Sequence, residues 1–297
     1  FSKINIIDSI FGIVSEDEYR KYEKDDSSIF GSSESLSEIL NYSQSDIEDI
    51  QKQLGLEYGS NNPVEIKNHI ETKISDDFKQ YIETNYPKDR VIELLRLFSD
   101  RRNDSRIKNE VNPASTVPTI YEYVVGIAWY YLSNKNFDLH SSLNMTLNAD
   151  FEPEMHAGGG MGDIVINYPD ISIMLEVTLM NSSAQKRGEW EPVLRHSLNN
   201  KAEHMDLETF TFFIADELDY NTINIWRAVA AAPLRSTTGN MTDINGVIIM
   251  PFTNANIINF LEGNIQSSTI LNKVRESFKK VPKITESDWH SQIINNL

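Results

Sequence analysis

Apolar residues recur at helical spacing through much of the first third of this chain. Ile66, Ile70, Ile74, Phe78 and Ile82 stand every fourth residue, which predicts one helix with a single apolar stripe, opened by Pro63. Pro87 interrupts the pattern, and Val91, Leu94, Leu95 and Phe98 predict a second helix. Ser45 to Leu54 reads as a short helix stopped by Gly55. The acidic, serine-rich stretch from 23 to 37 reads as a loop. From Ile120 onward the pattern changes. An aromatic-rich helix, Ile120 to Leu132, precedes three predicted strands in a meander: Leu143 to Leu147, DIVIN at 163–167 and ISIMLEV at 171–177. Next come a helix from about Ser183 to His204, a strand at Thr209 to Ile214, a helix at Thr222 to Ala231 and a strand at Gly246 to Phe252. Helices at Asn254 to Leu261 and Thr269 to Lys280 complete the order. The expected fold is α/β, an N-terminal helical region followed by a mixed sheet flanked by helices. Residues 101–118 are polar, basic at their start and closed by Pro113 and Pro118. They place the expected division between residues 1–112 and 113–297.

Two positions break the apolar pattern of the strands. Asp163 opens DIVIN, and Glu176 lies among Ile173, Met174, Leu175 and Val177, a run that reads as buried on both faces. Taken singly, a strand glutamate is ordinarily at an edge or facing solvent. Burying an ionised carboxylate costs several kcal/mol or more unless a partner compensates, and two converging carboxylates are most simply compensated by a divalent cation. A glycine-rich loop, His156 to Gly162, precedes the aspartate and allows close backbone approach. Gln185, Glu189, Val193 and His196 fall at a spacing that puts them on one face of a helix beside the strands. Glu122 stands between Tyr121 and Tyr123 on the aromatic helix.

Charge and composition narrow the function classes. The chain has 297 residues, no cysteine and a formal net charge of −17. Disulfides and thiolate metal sites are excluded, leaving oxygen and imidazole ligands. No apolar run is long enough to span a bilayer, and no signal peptide is recognisable at the start, so a cytoplasmic location is expected. So acidic a chain is not expected to grip nucleic acid over a broad surface by itself. The opening residue, Phe1, points to a fragment or processed form.

Asp163, then Glu176-Val177-Thr178 thirteen residues on, then Glu189 thirteen further on, form a pattern. It continues through Gln185-X3-Glu189-X-Glu191-Pro192-Val193-X-Arg195-His196 and includes His156-Ala157-Gly158 and the upstream Glu122. The pattern resembles the cleavage domain of the AlwI family of type IIS restriction and nicking endonucleases, over about residues 115–220. The resemblance implies a PD-(D/E)XK nuclease core in a bacterial restriction enzyme that hydrolyses double-stranded DNA. It implies Mg²⁺, replaceable by Mn²⁺, held by Asp163, Glu176 and the Val177 carbonyl, with Glu122 and Glu189 as further catalytic carboxylates. Where this family's wider class often has a lysine, two residues after the glutamate, this chain has Thr178, so Glu189 or Gln185 would serve instead. His156, Gln185, Lys186, Arg195 and His196 are the expected substrate contacts. Recognition is expected N-terminal to cleavage, with much of it outside this chain. A transient dimer or second subunit would be needed for double-strand cutting. The alternatives are a repair or transposition nuclease on the same core, and a catalytically silent partner subunit.

Overall fold

The computed structural model describes residues 62–156, 162–237, 243–279 and 289–297, with scattered positions between 49 and 60. The expected loop at 23–37, most of the helix expected at 45–54 and glycine-loop positions 157–161 lie outside the described residues. The helical spacing forms α1 (Pro63–Asn85) and α2 (Lys88–Phe98), with Pro87 as the N-cap of α2. A 3₁₀ turn (Arg101–Asn103), α3 (Asp104–Glu110), α4 (Val117–Leu132) and the short α5 (Leu139–Ser142) follow. The strands and helices beyond are β1 (Met145–Leu147), β2 (Pro153–His156), β3 (Ile164–Asn167), β4 (Ile171–Thr178), α6 (Ser182–Gly188), α7 (Trp190–Glu203) and β5 (Glu208–Ala215). Then come α8 (Tyr220–Val229), the two-residue β6 (Leu234–Arg235) and β7 (Asp243–Ile244), β8 (Ile249–Thr253), α9 (Asn254–Glu262), α10 (Ser267–Lys279) and α11 (Trp289–Ile294).

A four-stranded mixed sheet, order β3-β4-β5-β8, carries the core. β3 pairs antiparallel with β4, while β4–β5 and β5–β8 are parallel. The two central strands read as continuous apolar runs because both faces are covered. Phe212 packs on Trp129 of α4 on one face, and Phe213 packs on Trp226 of α8 on the other, each at 4.8 Å between ring centres. Helix α4 has apolar residues nearly all round and is buried nearly all round. At Gly126 a Cβ would lie 2.8 Å from Leu143 and 3.2 Å from Ile164, so glycine lets α4 seat against β3. No helix of the described residues is long and apolar enough to cross a membrane.

One expectation is corrected. Leu143 to Leu147 does not extend the main sheet as a meander strand. Its C-terminal part, β1, pairs with β2 in a separate two-stranded sheet, and only Leu143 bridges to Ile164. The chain forms two compact units, Phe1–Lys73 and Ile74–Leu297. The stripe of α2 buries into the same core as α4: Phe98 packs on Tyr121 at 4.8 Å, and buried Asn254 of α9 donates to the Leu95 carbonyl at 2.7 Å. The 101–118 stretch lies within the second unit and buries Ile107, Val111 and Val117 in its core.

Candidate active site

The site grows from the point where β3 and β4 lie side by side. The Asn144 amide donates to the Asp163 carbonyl at 2.9 Å, and its side chain donates to the Gly162 carbonyl at 3.1 Å, which pins the entry to β3. Gly162 itself lies against β4. A Cβ there would collide with Met174 and stand 3.2 Å from Glu176 Oε1, so the backbone approaches the carboxylate only because no side chain intervenes. Asp163 Oδ2 accepts from the Val177 amide at 2.7 Å. In an extended strand a residue's N–H and C=O face the same edge, so the Val177 carbonyl also faces the Asp163 side. Glu176 is a register partner of Phe213 and shares its face, where His196 Nδ1 of α7 hydrogen-bonds Glu176 Oε1 at 2.9 Å.

Glu122 from α4, Asp163 from the start of β3, Glu176 from β4 and Glu189 from the α6–α7 joint all line one open cleft of about 560 Å³. Val177, Thr178, His156 and Phe213 complete its inner wall, with Arg101, Thr116 and Pro118 along another side. All four carboxyls are pushed above their ordinary values, chiefly by burial. Glu122 reaches about 8, with the Asp163 charge adding to desolvation. Asp163 is raised by burial and then by Glu176, against the Val177 hydrogen bond. Glu176 is raised by burial and then by Glu189 and Glu122. Burial raises Glu189 while a hydrogen bond with Thr178 opposes it. Burial and the Arg195 charge lower His196, so it offers little positive charge in return. Like charges this close cannot all ionise comfortably without cations.

The donors suit a hard cation in an open site. Glu122 Oε2 is buried with no hydrogen-bond partner, which is expensive unless an ion or water meets it. Among the described residues no group of three or more His, Asp or Glu side chains is placed to hold a metal ion together. Two strand carboxylates and a backbone carbonyl would leave several of an ion's positions to water. That suits an ion that keeps several waters, as Mg²⁺ does.

The sequence-predicted residues divide into those the fold brings to the cleft and those it does not. Glu122, His156, Asp163, Glu176, Val177 and Glu189 line it, and His196 reaches it through Glu176. Gln185 does not. The expected single helix is broken at Glu189, whose backbone (φ −112°, ψ −30°) ends α6 just after Gly188 and precedes α7. Gln185 therefore shares no helix face with Glu189. Its amide donates to the Met180 and Glu217 carbonyls and accepts from the Asp219 amide, a buried brace between loops. Lys186 pairs with Asp219 at 3.1 Å and Arg195 with Glu191 at 3.2 Å, and neither lines the cleft. Arg101, at the basic start of the 101–118 stretch, also lines the cleft.

Comparison with known proteins adds two findings. The sequence model of the AlwI restriction endonuclease family matches residues 3–260. Among solved structures, the chain is similar to the small subunit of a heterodimeric restriction endonuclease, with 19% identity, a TM-score of 0.47, and coverage of 66% of this chain and 99% of that one. Comparison with curated protein sequences yields no match.

Proposed function

This chain belongs to the AlwI restriction endonuclease family, and from that premise we propose that it is a Mg²⁺-dependent DNA endonuclease of the type IIS or strand-nicking kind, built on a PD-(D/E)XK core. The observation that carries this reading is the convergence of Glu122, Asp163, Glu176 and Glu189 on one cleft, all with raised pKa values. A bound divalent cation supplies charge neutralisation at the phosphate and a more acidic water. Asp163, Glu176 and the Val177 carbonyl would hold it, and Mn²⁺ would substitute.

The chain's own groups then have separable tasks. Val177 N–H fixes one oxygen of Asp163 and leaves the other for a ligand. His196 does the same for Glu176. Thr178 occupies the position where a lysine is common in such cores, and its hydrogen bond orients Glu189. Glu189 is thus placed to accept a proton from a water in the cleft, and Glu122, near neutrality in pKa, to hold or release one. His156, at the end of β2, stands where a DNA phosphate would enter. Double-stranded DNA is the substrate, met in the bacterial cytoplasm. Catalysis belongs to the unit holding the cleft, sequence recognition to residues before it, and cutting of both strands to a transient dimer or second subunit.

Supercoiled plasmid incubated with the protein and Mg²⁺ should become nicked, and EDTA should stop this. Asp163→Ala and Glu176→Ala should abolish it while the proteins remain folded. Thr178 in place of lysine favours a second reading, a catalytically silent partner subunit. That reading predicts DNA binding with no nicking in either Mg²⁺ or Mn²⁺.

A further inference from the structure

The cleft poses an electrostatic problem that its carboxylates cannot solve. Even with one divalent cation present, a phosphodiester must approach four carboxyl groups on a protein of net charge −17. Among the described residues, the one guanidinium or ammonium group lining the cleft is that of Arg101. The nearby N-terminus of α4 offers little help. Thr116 caps the Thr119 amide, and Pro118 has no N–H to give.

We propose that Arg101 is a substrate-positioning residue that grips a backbone phosphate of the strand being cut. This rests on the nuclease reading above. The side chain is held for that task. Its 3₁₀ turn is fixed by Asp100, which accepts from the Arg102 amide at 3.0 Å, and by Asn103, which donates to the Leu97 carbonyl at 3.0 Å. Asp104 Oδ2 takes Nε at 3.1 Å and Nη2 at 2.9 Å. That carboxylate orients the guanidinium and leaves Nη1 for a ligand. The planar fork of arginine, partly preordered this way, loses less freedom on meeting a phosphate than a lysine would. Arg102 is the internal contrast. It is 90% exposed, folds back on Asp100, and does not line the cleft.

The test uses the full chain with random-sequence duplex DNA in Ca²⁺, titrated at several salt concentrations. A phosphate contact contributes about 0.9 to the slope of log affinity against log salt. Arg101→Ala should make that slope shallower by about this amount and weaken low-salt binding about tenfold. Arg101→Lys should restore the slope while leaving nicking in Mg²⁺ impaired, because charge returns without the fork. Arg102→Ala should change neither. An unchanged slope in Arg101→Ala, or an equal change in Arg102→Ala, overturns the assignment. Wild-type nicking in Mg²⁺ reports separately on the nuclease reading. Arg101-dependent binding without nicking would keep the phosphate contact and sink the nuclease. Nicking with no Arg101 dependence would do the reverse.

Discussion

Two glutamates on neighbouring parallel strands have opposite surroundings. Glu208, at the start of β5, is clasped by Arg275, with Nε at 2.8 and 2.9 Å from its two oxygens and Nη2 at 2.7 Å. That guanidinium also lies over the Phe210 ring at 5.5 Å. Glu176, near the end of β4, faces other carboxylates and a histidine whose pKa is lowered. The first is a structural carboxylate with its counter-ion supplied by the fold. The second has its pKa raised by burial and by Glu189 and Glu122, with Arg195 acting against them. A carboxylate buried without a cation is a cost a stable protein keeps only where something else will fill the place. The contrast supports the proposal that the C-terminal end of β4 is the working end of the sheet.

The strongest way to break that contrast is to exchange the behaviour of the two ends. Glu176→Ala or Asp163→Ala should lower plasmid cleavage by orders of magnitude with the melting temperature unchanged or raised, because a repulsive charge is removed. A loss of cleavage accompanied by unfolding would mean that Glu176 is structural, like Glu208. Glu189→Ala should cost more than about tenfold in rate, roughly 1.4 kcal/mol of transition-state stabilisation. A smaller loss in single-turnover kinetics would place Glu189 outside the chemistry.

The pH dependence of stability sharpens the comparison further. In EDTA, folded Glu122 holds its proton up to about 8, against an ordinary value of 4.5. A raised folded pKa means its contribution is full below the ordinary value and is lost as pH rises toward 8. Thermal melts in EDTA should therefore fall between pH 5 and 8, in steps measured at about one pH unit. Glu122→Gln should flatten the part of that fall due to Glu122, and Mg²⁺ should reverse much of it. A melting curve that is flat over this window would show that the site is solvated rather than starved of charge. The smallest effect is expected at the other end. Arg275→Ala should destabilise by about 1 kcal/mol in denaturant titration and leave nicking unchanged.

Much of this was legible in the residues alone. The helical stripe of α1 and the DIVIN and ISIMLEV strands are local patterns, set by spacing. Asp163 and Glu176 could be singled out because they interrupt such patterns. Gln185 misled because helical spacing assumes one continuous helix. Gly188, a weak helix former, marks where α6 in fact ends, and the chain re-aims at Glu189. Polar, proline-containing sequence has the same composition on a domain surface as between domains, so the composition of residues 101–118 does not by itself fix a boundary.

The chain by itself determined helices α1, α2 and α4, strands β3, β4 and β5, and which carboxylates interrupt apolar runs, since these follow from side-chain period and the cost of burying charge. Only the tertiary structure decided what those carboxylates meet. The parallel register sets Glu176 beside Phe213 and under His196, α4 carries Glu122 in from a separate element, and the turn after α2 brings Arg101 to the rim. Electrostatic energy depends on distance through space and on burial, and neither quantity is written in sequence separation.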